Sequence, residues 1–171
     1  FITTLKVCLR NKLTLKITAN TEKEIKIIDS LNYNRVHINI TSIKKEIQLT
    51  SRKLEKIGYI ENNPSVVEKK NDSTFHTEIE LKAQINSIHI YIGKNQHLKQ
   101  LFNQDTNKDT LRIKYSESNT LLEEFIKKLE ANGYPLAKVQ LVDIKRKNNI
   151  LIADLSIKTN SQRKINQIVI K

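Results

Sequence analysis

The residues able to do chemistry are few and scattered. His37, His76, His89 and His97 fall at spacings that never give the i, i+4 pair needed to set two metal ligands on one helix face. Cys8 is the only cysteine. That excludes an intrachain disulfide framework and a thiol-rich zinc site, since both need several sulfurs at set spacings. Flanked by Val7 and Leu9 and with no base to activate it, Cys8 reads as a small apolar packer rather than a nucleophile. The carboxylate pairs Glu22/Glu24 and Glu123/Glu124 read as first-turn residues of helices, where negative charge opposes the macrodipole. No Gly-rich phosphate loop, His-Glu-x-x-His helix or Gly-x-Ser-x-Gly elbow occurs. The expectation is a protein without catalysis, metal or cofactor.

What remains available is charge and main-chain pairing. Lys and Arg outnumber Asp and Glu by 30 to 18, a formal charge of +12, so a nucleic acid or an anionic membrane surface enters as a partner class. The lysines are dispersed along the chain rather than run together. A nucleic-acid reader built on a sheet would stack bases on sheet aromatics. Tyr33, Tyr59, Tyr91, Tyr115 and Tyr134 instead read mainly as ends of helices and strands, and Lys145-Arg146-Lys147 as a basic hairpin turn. Nucleic acid is therefore the alternative rather than the expectation, together with a passive spacer. No stretch approaches the roughly 18 apolar residues of a membrane helix. Phe1–Arg10 carries Lys6 and Arg10 where a signal peptide would be apolar. With no initiating Met and an apolar end at Ile168-Val169-Ile170, the chain is expected to be part of something larger.

The elements that position these groups are organised by a repeat. Lys53-Leu54-Glu55-Lys56-Ile57-Gly58-Tyr59 returns as Lys128-Leu129-Glu130-Ala131-Asn132-Gly133-Tyr134. Ile85-Asn86-Ser87-Ile88-His89-Ile90 returns, in the same order, as Ile165-Asn166-Gln167-Ile168-Val169-Ile170. Each heptapeptide reads as a helix end, preceded by apolar residues at helical spacing: Ile43, Ile47, Leu54 and Ile57 in one copy, Leu121, Leu122, Phe125, Ile126 and Leu129 in the other. Gly58 and Gly133 stop the helices, with the following Tyr folding back on the last turn. Thr41 or Ser42, and Ser118 or Asn119, are the expected N-caps.

After each helix come two strand-like segments, 65–70 and 74–81 in the first copy, 138–145 and 150–158 in the second. Asn71-Asp72-Ser73 and Asn148-Asn149 mark their turns. A further strand precedes each unit, 13–19 and 87–92, and a third such strand opens at Gln167. Thr21 and Glu24 form a capping-box pair ahead of a short helix, whose weaker counterpart spans 96–104. Each unit thus reads strand, helix, helix, strand, strand: an α+β module with a three-stranded mixed sheet and two helices on one face.

This order, with a helix ending in Gly-Tyr and a last strand leading through a basic turn into Ile-x-x-Ile-x-Ile, resembles the POTRA (polypeptide transport-associated) domains of the outer-membrane β-barrel assembly, BamA-like family. The match is fullest over Leu122–Val139, Leu151–Ile157 and Arg163–Ile170, with Ala137 and Val139 where the family has a small residue and a Val. Two departures are Ile60-Glu61-Asn62-Asn63-Pro64 after the first Gly-Tyr and the lack of a Gly before Lys164.

The resemblance implies a leader over 1–12, one module over 13–84, a second over 85–163, and 164–171 as the start of a following module or a linker to a barrel. It further implies a periplasmic location and, as partners, unfolded outer-membrane or secreted polypeptides and accessory assembly subunits, captured by strand addition at an open sheet edge. By the family's strand order that edge is the second strand of each module, and the residues expected in it are Val67, Val139, Leu141 and Asp143.

Overall fold

The computed structural model describes residues 12–93, 99–100, 109–159 and 161. Two units separate between Gln84 and Ile85.

The first unit is ordered by alternation along two strands. In β1 (Leu13–Thr18) Leu15 and Ile17 are buried while Thr14 and Lys16 are exposed; in β5 (Thr74–Glu80) Phe75, Thr77 and Ile79 are buried while Glu78 and Glu80 are exposed. The two strands run parallel in the middle of a sheet. Two helices supply the other half of the core. Helix α1 (Glu22–Ser30) starts with the expected capping box: Thr21 Oγ1 accepts from the Glu24 N–H, and Glu24 Oε2 accepts from the Thr21 N–H. Helix α2 (Ile40–Lys56) buries Ile43, Ile47, Thr50 and Leu54. Its N-cap is Asn39, whose Oδ1 accepts from the Ser42 N–H at 2.8 Å, and not Thr41 or Ser42. Ile40 begins the helix despite being apolar, because Asn39 is already extended and holds the capping carbonyl.

Between these helices lies a two-residue strand that periodicity does not reveal, β2 (Val36–His37), antiparallel to β1. It is too short to cover β1, so the Ile17 N–H donates instead to the Tyr33 hydroxyl at 3.2 Å. The strand expected over 65–70 is broken into β3 (Asn63–Pro64) and β4 (Glu68–Lys69), both antiparallel to β5. The break falls at Pro64 and at a side-chain contact with β5. Pro64 brings no N–H, and the Ser65 hydroxyl accepts from the Glu78 N–H at 2.9 Å, competing with a main-chain carbonyl for that donor. The chain then bows outward at Val66, which is 85% exposed.

The second unit repeats this plan with longer strands. β6 (Ser87–Tyr91) runs parallel to β9 (Ile150–Lys158), as β1 does to β5. β7 (Thr110–Lys114) lies antiparallel on the outer side of β6, in the position of β2, and is again an addition to the three strands expected. A 3₁₀ turn at Tyr115–Glu117 leads into α3 (Ser118–Ala131), which buries Phe125 and Leu129. No side chain caps its N-terminus: Glu117 holds the cap position and the Ser118 hydroxyl donates back to the Tyr115 carbonyl. β8 (Lys138–Lys147) pairs antiparallel with β9 and reaches two residues further than expected, closing the hairpin at Asn148, which has φ +54°. The sheet order is β7-β6-β9-β8.

The repeated heptapeptides do the same work in both units. Gly58 and Gly133 take φ +102° and +87°. Their N–H groups donate to Glu55 and Glu130 carbonyls, and those of Tyr59 and Tyr134 donate to Leu54 and Leu129 carbonyls, all at 3.0 Å. This is the full Schellman pattern, with the Tyr ring and the Leu side chain in one apolar cluster in each case. The helix expected over 96–104, apart from Lys99 and Gln100, the strand from Gln167 and the segment 1–12, apart from Lys12, lie outside the described residues, as do Cys8 and His97.

Candidate functional site

An edge strand carries main-chain N–H and C=O groups that its own sheet leaves unused, and it can therefore recognise another strand without reading its side chains. In the second unit β7 and β8 are the terminal strands, and the longer is β8. Its first five residues, Lys138–Val142, keep regular register with β9 from Lys138↔Lys158 to Val142↔Asp154. At about 3.4 Å per residue this is a straight run of about 17 Å. Val139 and Leu141 point to the core side, where Val139 packs against the cluster of Phe125 and Leu129. Both stay half-buried, since among the described residues no further strand covers their outer flank.

The run ends at a bulge. Between Val142 and Lys145 the register slips, so that Asp143 and Ile144 stand against Ala153 alone. Asp143 takes φ +51°, a left-handed conformation that Asp tolerates better than most side chains, and Ile144 is 56% exposed. Expected inside the pairing strand, Asp143 instead marks where regular pairing stops. Beyond it Lys145, Arg146 and Lys147 load the strand with positive charge, a device that discourages uncontrolled edge-to-edge association.

Val67 is placed differently from expectation. It lies between β3 and β4, outside either strand, and its side chain packs on the core of the first unit. The first unit thus offers two-residue fragments where the second offers a ladder, and the structure does not give Val67 the setting it gives Val139 and Leu141.

The titratable groups are held by ordinary local partners. His37 Nε2 lies 2.8 Å from the Asn34 carbonyl and His76 Nε2 lies 2.8 Å from Thr18 Oγ1. Lys99, 3% exposed, pairs with Asp109 at 2.6 Å. Burial, then the nearby Glu24 carboxylate, holds the Tyr59 phenol above its usual range. The hydrogen bond and charge of Lys70 pull the exposed Glu68 carboxyl down. Among the described residues, no three His, Cys, Asp or Glu side chains come together as a metal site would need. No described helix is long and apolar enough to cross a membrane.

No protein-family model matches the sequence, and no curated protein does either. Solved structures do match. The crystal structure of Haemophilus influenzae BamA POTRA3-5 superposes with a TM-score of 0.51 at 17% identity, covering 88% of this chain and 68% of that one. The chain has the fold of tandem POTRA modules. POTRA1-2 of the periplasmic domain of Omp85 from Anabaena also matches, with 10% identity, 84% of this chain and 92% of that one, at a lower TM-score of 0.44. The assignment of the POTRA fold rests on the first of these. Among the described residues β7 and β8 are the terminal strands of the second sheet, and Val139 and Leu141 lie on one side of β8.

Proposed function

We propose that this chain is the periplasmic POTRA region of an outer-membrane protein assembly or translocation factor, without catalytic activity of its own. In this reading residues 13–84 and 85–163 are its two modules, and 164–171 opens a third module or a linker to a barrel. The clients are extended, strand-forming polypeptides or accessory subunits. They add to the second sheet along β8, with Val139 and Leu141 offering an apolar flank to alternate client side chains and the bulge at Asp143 ending the register.

The observation that carries this is the five-residue stretch Lys138–Val142, bonded on one side only among the described residues and apolar on its core-facing side. Its test is an amide NMR titration of the isotope-labelled chain with an eight-residue peptide copied from an outer-membrane β-strand. Shifts should concentrate at residues 138–142, and the same peptide with alternate backbone amides N-methylated should lose binding. Equal binding of the methylated peptide, or shifts confined to another surface, overturns the proposal.

A further inference from the structure

The sheet collects charges that are dispersed in the sequence. Partners directly opposite in a ladder share a face, so the face of the second sheet turned away from its core can be read from the register. One row across it is Arg112–His89–Ile152–Lys145, and the next is Thr110–Tyr91–Asp154–Val142. Lys114 and Lys147 continue it at one end, and the Lys138–Lys158 pair closes it at the other. Six cations therefore stand on the open face, against Asp154 within it and Asp143 at the bulge. Lys114 has a carboxylate neighbour, Glu117, at 3.9 Å. Between the cations, Tyr91 is 42% exposed and Ile152 40% exposed.

The open face of the first sheet, found the same way, has mixed charge. It carries Glu68, Glu78 and Glu80 with Lys16, and Glu68 is bonded to Lys70 at 2.6 Å. The overall charge of +12 is thus not evenly spread over the two sheets.

We propose that the open face of the second sheet docks on the surface of an anionic lipid bilayer. The cations occur on β7, β8 and β9 and span the sheet in both directions, about 15 Å across four strands and about 30 Å along β8. That is a two-dimensional array. An extended acidic polypeptide would meet only one line of it, and a nucleic acid would find one exposed aromatic, Tyr91, where base stacking calls for several. A headgroup layer meets the whole array, with Tyr91 and Ile152 at the depth where amphipathic and apolar side chains settle in the interface. The face shares Lys138 with the β8 edge, but Arg112, Lys145 and Lys147 lie outside the stretch 138–142, so edge binding and face binding can fail separately.

The test uses the 171-residue chain and vesicles of zwitterionic phosphatidylcholine with or without 30% phosphatidylglycerol, in a sedimentation assay. Wild type should sediment with the anionic vesicles, weakly with the neutral ones, and be released by salt. Neutralising Arg112, Lys145 and Lys147 to Gln should lower the partition coefficient by about fivefold per residue. Lys16→Gln, on the first sheet, should leave it unchanged. Melting curves confirm that the triple variant is folded; if it is not, Lys145→Gln and Lys147→Gln singly give the same comparison. Equal sedimentation with neutral vesicles, no loss in the variants, or displacement from vesicles by an oligonucleotide or polyglutamate at micromolar concentration overturns the proposal.

Discussion

The two units run one plan with different endings. In each, a parallel pair of strands forms the centre of the sheet, a helix closes with Gly-Tyr, and a strand ahead of that helix extends one edge. They part at the opposite edge and on the open face. The first unit ends its sheet in two-residue strands broken by Pro64 and Ser65 and turns Glu78 and Glu80 outward. The second ends in the ten-residue β8 and turns lysines outward. Core and helix cap are what the fold needs and are kept. Edge and face are where we propose that partners are met, and they differ. An element that contributes little to stability is free to diverge, so the diverging parts of a repeat point to where each copy works.

The largest expected effect tests whether the cores are separate. Phe125 is 1% exposed and central to the cluster under α3. Phe125→Ala should cost the second unit about 3–5 kcal/mol. Native-state hydrogen exchange should show faster opening of β6–β9 amides with those of β1 and β5 unchanged; a uniform rise across the chain would mean a single cooperative unit. A smaller effect tests how alike the kept parts are. Gly58→Ala and Gly133→Ala each force a Cβ into left-handed backbone, which costs about 1–2 kcal/mol. Urea denaturation should give the same cost for both within about 0.5 kcal/mol. A clear inequality would break the equivalence of the two caps.

Much of this was legible in the sequence because the deciding signals are local. The Gly-Tyr cap, the Thr21–Glu24 box and the alternation along β5 and β9 each lie within one short segment. β2 was not legible, because two residues carry no period. The capping Asn39 was hidden by the more usual Thr41 and Ser42 close behind it. The break after Pro64 turns on which acceptor the Glu78 N–H takes, and the bulge at Asp143 on a register with β9; neither is a property of the segment itself. Of the residues named for the edge, Val139 and Leu141 lie in the regular part of β8, Asp143 lies at its bulge and Val67 lies between β3 and β4. The charged faces were beyond reach for the same reason: Arg112, Lys145 and Lys147 become neighbours only once the strand order is known.

The smallest effect concerns the two tyrosines that follow the helix-ending glycines. Tyr59 is 9% exposed within its core, whereas Tyr134 is half-buried beside Leu129. Burial and the Glu24 carboxylate both disfavour the Tyr59 phenolate, so its folded pKa lies above the ordinary value of about 10. A raised folded value means that the protonated ring contributes stability that is complete below the unfolded pKa and is lost as pH rises through the folded one. The first unit should therefore lose stability above about pH 10 by a route that Tyr59→Phe removes. Lysines also lose charge in that range, so the measure is the difference between wild type and variant in urea midpoint from pH 8 to 11. That difference should change with pH above 10, the variant falling less steeply, and Glu24→Gln should reduce the slope of the wild type in part. Parallel profiles for wild type and Tyr59→Phe would show that the ring's burial does not couple to its ionisation, and the contrast between the two caps would then be one of packing alone.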